Sequence, residues 1–189
     1  MTTDNGEPGW IVFQRRLDGS VDFNRNWNTY KNGFGDLDGE FWLGNDNVAK
    51  NIASGNFQMR IELGDWEGEH RYAQYSFVRV LGESDKYQLI VGDYSVGAGD
   101  ALSCRRLNSQ NGSYFSAIDQ DNDQHSASHC ANYLKAGFWY NNCGSAYLNN
   151  PYHVGGVAEL SRGIMWSTDW HDPLYSFKST VMKVRPIFD

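Results

Sequence analysis

The sequence predicts an α+β fold in which a central antiparallel sheet with short helices is joined to a loop-rich lobe, and three stretches carry that prediction. Phe57, Met59, Ile61 and Leu63 alternate with Gln58, Arg60 and Glu62, the period of a strand with one buried face. Residues 43–53 have helical spacing and are stopped by Ser54 and Gly55. Over residues 92–170 the chain turns to Gly, Asn, Ser and Asp with isolated aromatics, and neither period persists. Irregular stretches of that length in a compact unit are uncommon unless a function, a metal or a disulfide maintains them.

In chain order, residues 27–34 read as a first short helix and 43–53 as a second, with Asn45 and Asp46 as candidate caps. The strand at 57–63 follows, and residues 72–81 and 86–91 read as further strands of the same sheet. After the irregular region, "YSFKSTVMKVRPIF" regains alternation and returns to the sheet. With no internal repeat, low-complexity segment or linker, the chain is expected to be one domain. Residues 1–91 and 175–189 would form its sheet-containing lobe, and 92–174 its loop-rich lobe.

The 189 residues, 40% hydrophobic and 15% aromatic, suffice to bury a core. A net charge of −7 with scattered Lys and Arg excludes a nucleic-acid surface. No run of about 18 apolar residues exists to insert into a membrane. The start, "MTTDNGEPGW", lacks the basic and apolar regions of a signal peptide, so either the protein is cytosolic or a leader has been left off. Of three cysteines, Cys130 and Cys143 lie close in sequence and Cys104 stands alone. A disulfide closing the short loop would contribute about 3 kcal/mol in an oxidising compartment. Asn111-Gly112-Ser113 is a glycosylation sequon.

The segment "AIDQDNDQHSASHC" places Asp119, Asp121 and Asp123 at alternate positions with no basic residue nearby. Carboxylates so spaced in a tight turn can converge on one hard cation, with main-chain carbonyls completing a shell of oxygens, which suits calcium. An EF-hand is excluded, because counting from Asp119 places Gln124 where Gly is required and Cys130 where Glu is required. A zinc site would use His125 and His129 with Cys130 or Asp123, but "SASHC" has no helix context. Catalytic signatures are missing: there is no nucleophile elbow, Walker loop or zincin motif, and "GAGDAL" lacks a third glycine. Tyr133, Phe138, Trp139, Tyr140, Tyr147 and Tyr152 crowd the loop region. They can wall a shallow ligand pocket or form a minor core, the second being the expectation for Trp139.

Taken in order, "GWIVFQRRLDGSVDFNRNWNTYKNGFG", "GEFWLGNDN", "DQDND", Cys130 with Cys143, "FWYNNC", "YLNN" and "MKVRP" cover Trp10 to Pro186. Together they resemble the fibrinogen C-terminal domain found in fibrinogen chains, ficolins, tachylectins and invertebrate fibrinogen-related lectins. The resemblance implies a fibrinogen C-terminal-like fold, here lacking the family's first segment with its additional cysteine, and a secreted, non-enzymatic recognition module. It implies a Cys130–Cys143 disulfide. It also implies a Ca2+ held by the carboxylates of Asp121 and Asp123 and the carbonyls of His125 and Ala127. One additional residue before Cys130 would allow those carbonyls to slip to Ser126 or Ser128.

Acetyl-binding relatives present their ligand with a cis peptide before the second cysteine, which here is Asn142-Cys143. Such a bond costs about 3 to 4 kcal/mol without proline. The pocket pattern departs at Leu134, Gly144 and Leu160 beside Ser161, with Tyr133, Trp170 and Tyr175 as replacement walls. The first expectation is therefore a calcium-dependent, lectin-like module that binds glycans or acetylated groups in innate immune recognition. The second is a protein-interaction module of fibrinogen or angiopoietin type that receives a peptide or receptor. In either case weak single sites imply avidity through an oligomer of the full-length protein.

Overall fold

The computed structural model describes residues 9–53, 56–103, 109–158, 162–168, 170–172 and 174–187. The chain begins with β1 (Ile11–Arg16) and α1 (Trp27–Asn32), then two short strands, β2 (Phe34–Gly35) and β3 (Phe41–Trp42). After α2 (Asn45–Ile52) come β4 (Phe57–Gly64), β5 (His70–Tyr75), β6 (Val78–Val80), β7 (Leu89–Val91) and β8 (Tyr94–Gly97). The loop-rich stretch holds β9 (Phe115–Ser116), α3 (Cys130–Leu134), β10 (Phe138–Trp139), β11 (Ala146–Tyr147) and β12 (Met165–Trp166) before β13 (Ser179–Pro186).

Seven strands form the main sheet in the order β2-β3-β1-β13-β4-β5-β8, antiparallel throughout. The alternation in β4 buries Met59, Ile61 and Leu63, all at 1% exposure or less. Across from them β13 buries Thr180, Met182 and Val184, with Met182 paired to Ile61.

Residues 72–81 are not one strand of this sheet. The chain breaks at Ser76-Phe77, where the Ser76 amide donates to Asp93 O and the Gly92 amide to Phe77 O (both 2.9 Å), and β6 pairs with β7 in a separate two-stranded ribbon. Val78 and Val80 are buried and Arg79 is exposed, so the alternation is real but serves a different sheet. The helices also end earlier than the sequence spacing suggests. Gly33 at φ +93° ends α1, which Asn26 caps by accepting the Thr29 amide. At α2 the residue before the helix is Gly44, while buried Asn45 accepts from Trp42 Nε1 (2.9 Å) and does not cap.

One aromatic cluster joins the sheet to the loop-rich part. Trp42 lies 5.9 Å from Phe13, 5.8 Å from Phe115 and 5.8 Å from Trp139 between ring centroids, and Tyr30 of α1 closes the group against Phe115. These are edge-to-face or tilted pairs, each adding about 0.5–1.5 kcal/mol beyond area burial. Polar links reinforce the junction: buried Gln14 of β1 donates to Leu148 O and Asn149 Oδ1 and accepts from Thr180 of β13.

Arg16, with 1% exposure, donates to the carbonyls of Leu148 and Asn150 and sits 4.0 Å over the Phe23 ring. Its charge partner Glu40 is equally buried, and the Glu40 carboxylate accepts the amides of Leu17, Asp18, Gly19 and Val21. Burial alone would raise the Glu40 pKa. The Leu17 and Val21 amides, the Arg16 guanidinium and the Gly19 amide outweigh it and hold the group below its ordinary value.

Candidate functional site

The acidic loop forms a tight turn directly before α3. The Asp123 carboxylate accepts the amide of His125 through Oδ1 and that of Cys130 through Oδ2, both at 2.8 Å, while the Asp123 amide donates to Asp121 Oδ1 (3.2 Å). Asp119 is drawn away and accepts the Trp27 amide at the start of α1 (2.7 Å). Only two of the three alternating carboxylates therefore face one another. Burial and the neighbouring Asp121 raise the Asp123 pKa above the ordinary aspartate range, because two carboxylates there compete for one environment. A bound cation would relieve that repulsion, so the donor chemistry fits a hard ion. The loop does not place three acidic or histidine side chains together, so main-chain carbonyls such as those of His125 and Ala127 would have to complete the shell. Zinc is disfavoured further, since Cys130 is consumed in a disulfide.

That disulfide, Cys130–Cys143, spans 5.4 Å between Cα atoms. It ties the first residue of α3 to the 141–144 turn, and the Gln124 amide ties the acidic loop to the same turn through Asn141 O (2.8 Å). The Asn142-Cys143 peptide is trans, as is every peptide among the described residues, and this corrects the cis expectation. The turn is instead made by Cys143 at φ +48° and Gly144 at φ +130°, with an antiparallel bridge from Asn141 to Cys143.

Gly144 is explained by its neighbour. A Cβ there would lie 2.4 Å from Gln110 Cδ. Buried Gln110 makes four bonds: it donates to Trp139 O and Ala146 O and accepts the Ser145 and Ala146 amides. Gly144→His, the substitution that restores the acetyl-pocket pattern, is therefore expected to eject Gln110 and cost about 1–3 kcal/mol. Urea denaturation measures the loss, and an unchanged midpoint would overturn this account of the glycine.

An open cavity of about 750 Å3 lies at the other end of α3. Tyr133, Leu134 and Lys135 of that helix end form one side, and Pro151, His153, Val157, Ala158 and Arg162 the other. Lys135 takes the left-handed conformation (φ +59°) that stops the helix there. The sequence did not reveal this helix, because five residues are too few to establish a period. Phe138, Trp139, Tyr140 and Tyr147 are buried in the core and are not among the residues that line this cavity. Tyr133 is the exposed ring, at 47%. Asn142, Cys143 and Gly144 stand at the disulfide turn and outside the cavity lining. Leu160 and Ser161 lie outside the described residues, as does Cys104.

Trp170 and Tyr175, expected as replacement walls, gather elsewhere. Asp65, Glu67 and His171 bring ligand atoms within 4.8 Å of one another. Asp65, 3% exposed, accepts from the Glu69 amide (2.7 Å) and contacts His171 Nε2 (3.2 Å). Tyr175 donates to Glu67 (2.5 Å) and stacks on His171 at 3.8 Å, and Trp170 packs against the same histidine. Sequence reasoning missed this cluster, for Asp65 and His171 are 106 positions apart.

Comparison with known proteins gives a consistent result. Residues 1–187 match the family described as fibrinogen beta and gamma chains, C-terminal globular domain. Fibrinogen-like protein 1 of Bos taurus is 44% identical over 188 residues, covering 94% of this chain and 60% of the relative. Ryncolin-4 of Cerberus rynchops is 46% identical over 189 residues, covering 98% and 52%. The chain thus spans about half to three-fifths of the length of these curated relatives. Among solved structures, the fibrinogen-like globe domain of human ANGPTL2 superposes with a TM-score of 0.87 at 40% identity, covering 97% of this chain and 82% of that one. Lamprey fibrin D-dimer, solved with the peptide Gly-His-Arg-Pro-amide, superposes with a TM-score of 0.89 at 38% identity, covering 97% and 63%. This chain belongs to the fibrinogen C-terminal domain family and has its fold.

Proposed function

We propose that this chain is an extracellular, non-enzymatic recognition module, one domain of two lobes, in which a calcium-stiffened loop supports a cavity for a segment of a protein ligand. The observation that carries this reading is the position of the cavity: it opens at the C-terminal end of α3, whose first residue is held by Asp123 and by the disulfide. Calcium on the carboxylates of Asp121 and Asp123, completed by the carbonyls of His125 and Ala127, would add positive charge between two carboxylates that repel each other. It would thereby fix the helix that carries Tyr133 and Leu134. The disulfide supports secretion, since such bonds persist in oxidising compartments. No described helix is long and apolar enough to cross a membrane.

A protein ligand is favoured over an acetylated glycan because Leu134 stands where the acetyl-pocket pattern has a tyrosine and the cavity is lined by exposed Val157. The glycan reading keeps one supporting observation, the exposed Tyr133 ring. Retention on N-acetylglucosamine resin in calcium, followed by a chelator wash, separates the two. No retention is expected, and elution by chelator reproduced by free acetate would establish a lectin instead.

Asp121→Ala is expected to weaken calcium binding at least about tenfold with the sheet intact, as measured by calorimetric titration. Unchanged affinity would remove the ion from this loop. Because the Asp123 pKa is raised, acidification should weaken binding beginning above the ordinary aspartate range.

A further inference from the structure

We infer that Asp65, Glu67 and His171 form a metal site separate from the acidic loop, which takes a zinc-class divalent ion and clamps the β4–β5 turn to the stretch leading into β13. Asp65 follows directly on β4, Glu67 lies in the turn before β5, and His171 lies between β12 and β13. Each offers one ligand atom, and the three atoms lie within 4.8 Å of one another. The observation that points to an ion is the burial of Asp65. Its side chain is 2% exposed, yet among the described residues no Lys or Arg pairs with it. Oδ1 accepts the Glu69 amide (2.7 Å), and the one contact of Oδ2 is His171 Nε2 (3.2 Å). A buried carboxylate needs a positive partner to offset its lost hydration, and a histidine supplies one only when protonated. A divalent ion supplies it while His171 stays neutral.

Donor type and spacing select the ion. One imidazole nitrogen with two carboxylates suits zinc, whereas calcium prefers a larger shell made of oxygens alone. With bonds of about 2.0–2.1 Å to a tetrahedral zinc, neighbouring ligand atoms stand about 3.3–3.4 Å apart, close to the 3.2 Å between Asp65 Oδ2 and His171 Nε2. The ligands are also held in place. The His171 ring stacks on Tyr175 with centroids 3.8 Å apart and packs against Trp170 at 4.9 Å. Tyr175 donates its hydroxyl hydrogen to Glu67 (2.5 Å), so both carboxylates are oriented by a donor, as metal-ligating carboxylates are in general. Glu67 is exposed, which gives the ion a way in from solvent and leaves its fourth position to water.

The test titrates zinc chloride into the whole chain, stripped with chelator and returned to saturating calcium so that the acidic loop does not compete. Calorimetry is expected to show a single zinc bound per chain, and the melting temperature to rise with zinc concentration. NMR of the histidine ring nitrogens should place the ion on His171 Nε2. His171→Gln and Glu67→Gln should each weaken zinc at least about tenfold and remove most of the rise in melting temperature. Without zinc both variants should melt as the wild type does; if His171→Gln melts earlier, Glu67→Gln, altered only at an exposed carboxylate, decides. No zinc binding would overturn the site and leave His171 as the ion-pair partner of Asp65. Binding undiminished in the variants would assign the zinc to other histidines, and binding seen only when calcium is omitted would assign it to the acidic loop; either result overturns the inference.

Discussion

Glu40→Ala is expected to lower the unfolding free energy by about 3–5 kcal/mol at neutral pH, the range for removing one partner of a buried ion pair. The variant leaves Arg16 as a buried cation facing only carbonyls and an aromatic ring, and it strips the acceptor from four backbone amides at once. The pH dependence gives the effect a signature. The folded-state pKa of Glu40 is depressed, so its contribution is complete above the unfolded-state value of about 4.3 and is lost as pH falls through the folded value. Urea midpoints of wild type and variant should therefore lie far apart at neutral pH and converge in acid. A gap that stays constant with pH would show that packing, and not the charge of Glu40, is at work.

Gln110→Ala should be comparably severe, costing about 3–6 kcal/mol, since it leaves two carbonyls and two amides unpaired in a buried site at about 1–3 kcal/mol each before any recovery by water. Its local effect matters more for function. Gln110 is the post on which Ser145 and Ala146 hang, immediately after the disulfide turn. Hydrogen exchange of the Ala146 amide should accelerate strongly in the variant, with ligand affinity falling even where the sheet remains protected. A loss of stability under about 1 kcal/mol would mean that the neighbouring strands, and not this side chain, hold the turn.

Much of the sheet was legible because period two reports which face of a strand is buried. It does not report the partner. Val78 and Val80 alternate with Arg79 as well in the β6–β7 ribbon as they would in the main sheet, and the break at Ser76-Phe77 depends on amide bonds to Asp93 and Gly92 that no pattern announces. The same limit applies to "FWYNNC", where three consecutive aromatics are all buried because the chain is enclosed on both sides. The paired carboxylates and the disulfide were visible as local spacing. Gly144 read as a missing pocket wall, when its cause is Gln110, 34 positions earlier. The Asp65, Glu67 and His171 group needed the fold to exist at all.

The place of β13 carries a consequence for biogenesis. It pairs with β1 on one side and β4 on the other, although it comes later in the chain than every other strand. While a ribosome is still making the acidic loop and the cavity, β1 and β4 have no neighbour to fill the gap between them. Two strand edges stay open until residues 179–186 emerge, a non-local closure of the kind that folds slowly and invites pairing with other chains. The loop-rich part is thus synthesised before the sheet it rests on is complete, and the nascent chain has reason to depend on chaperone cover until β13 has emerged.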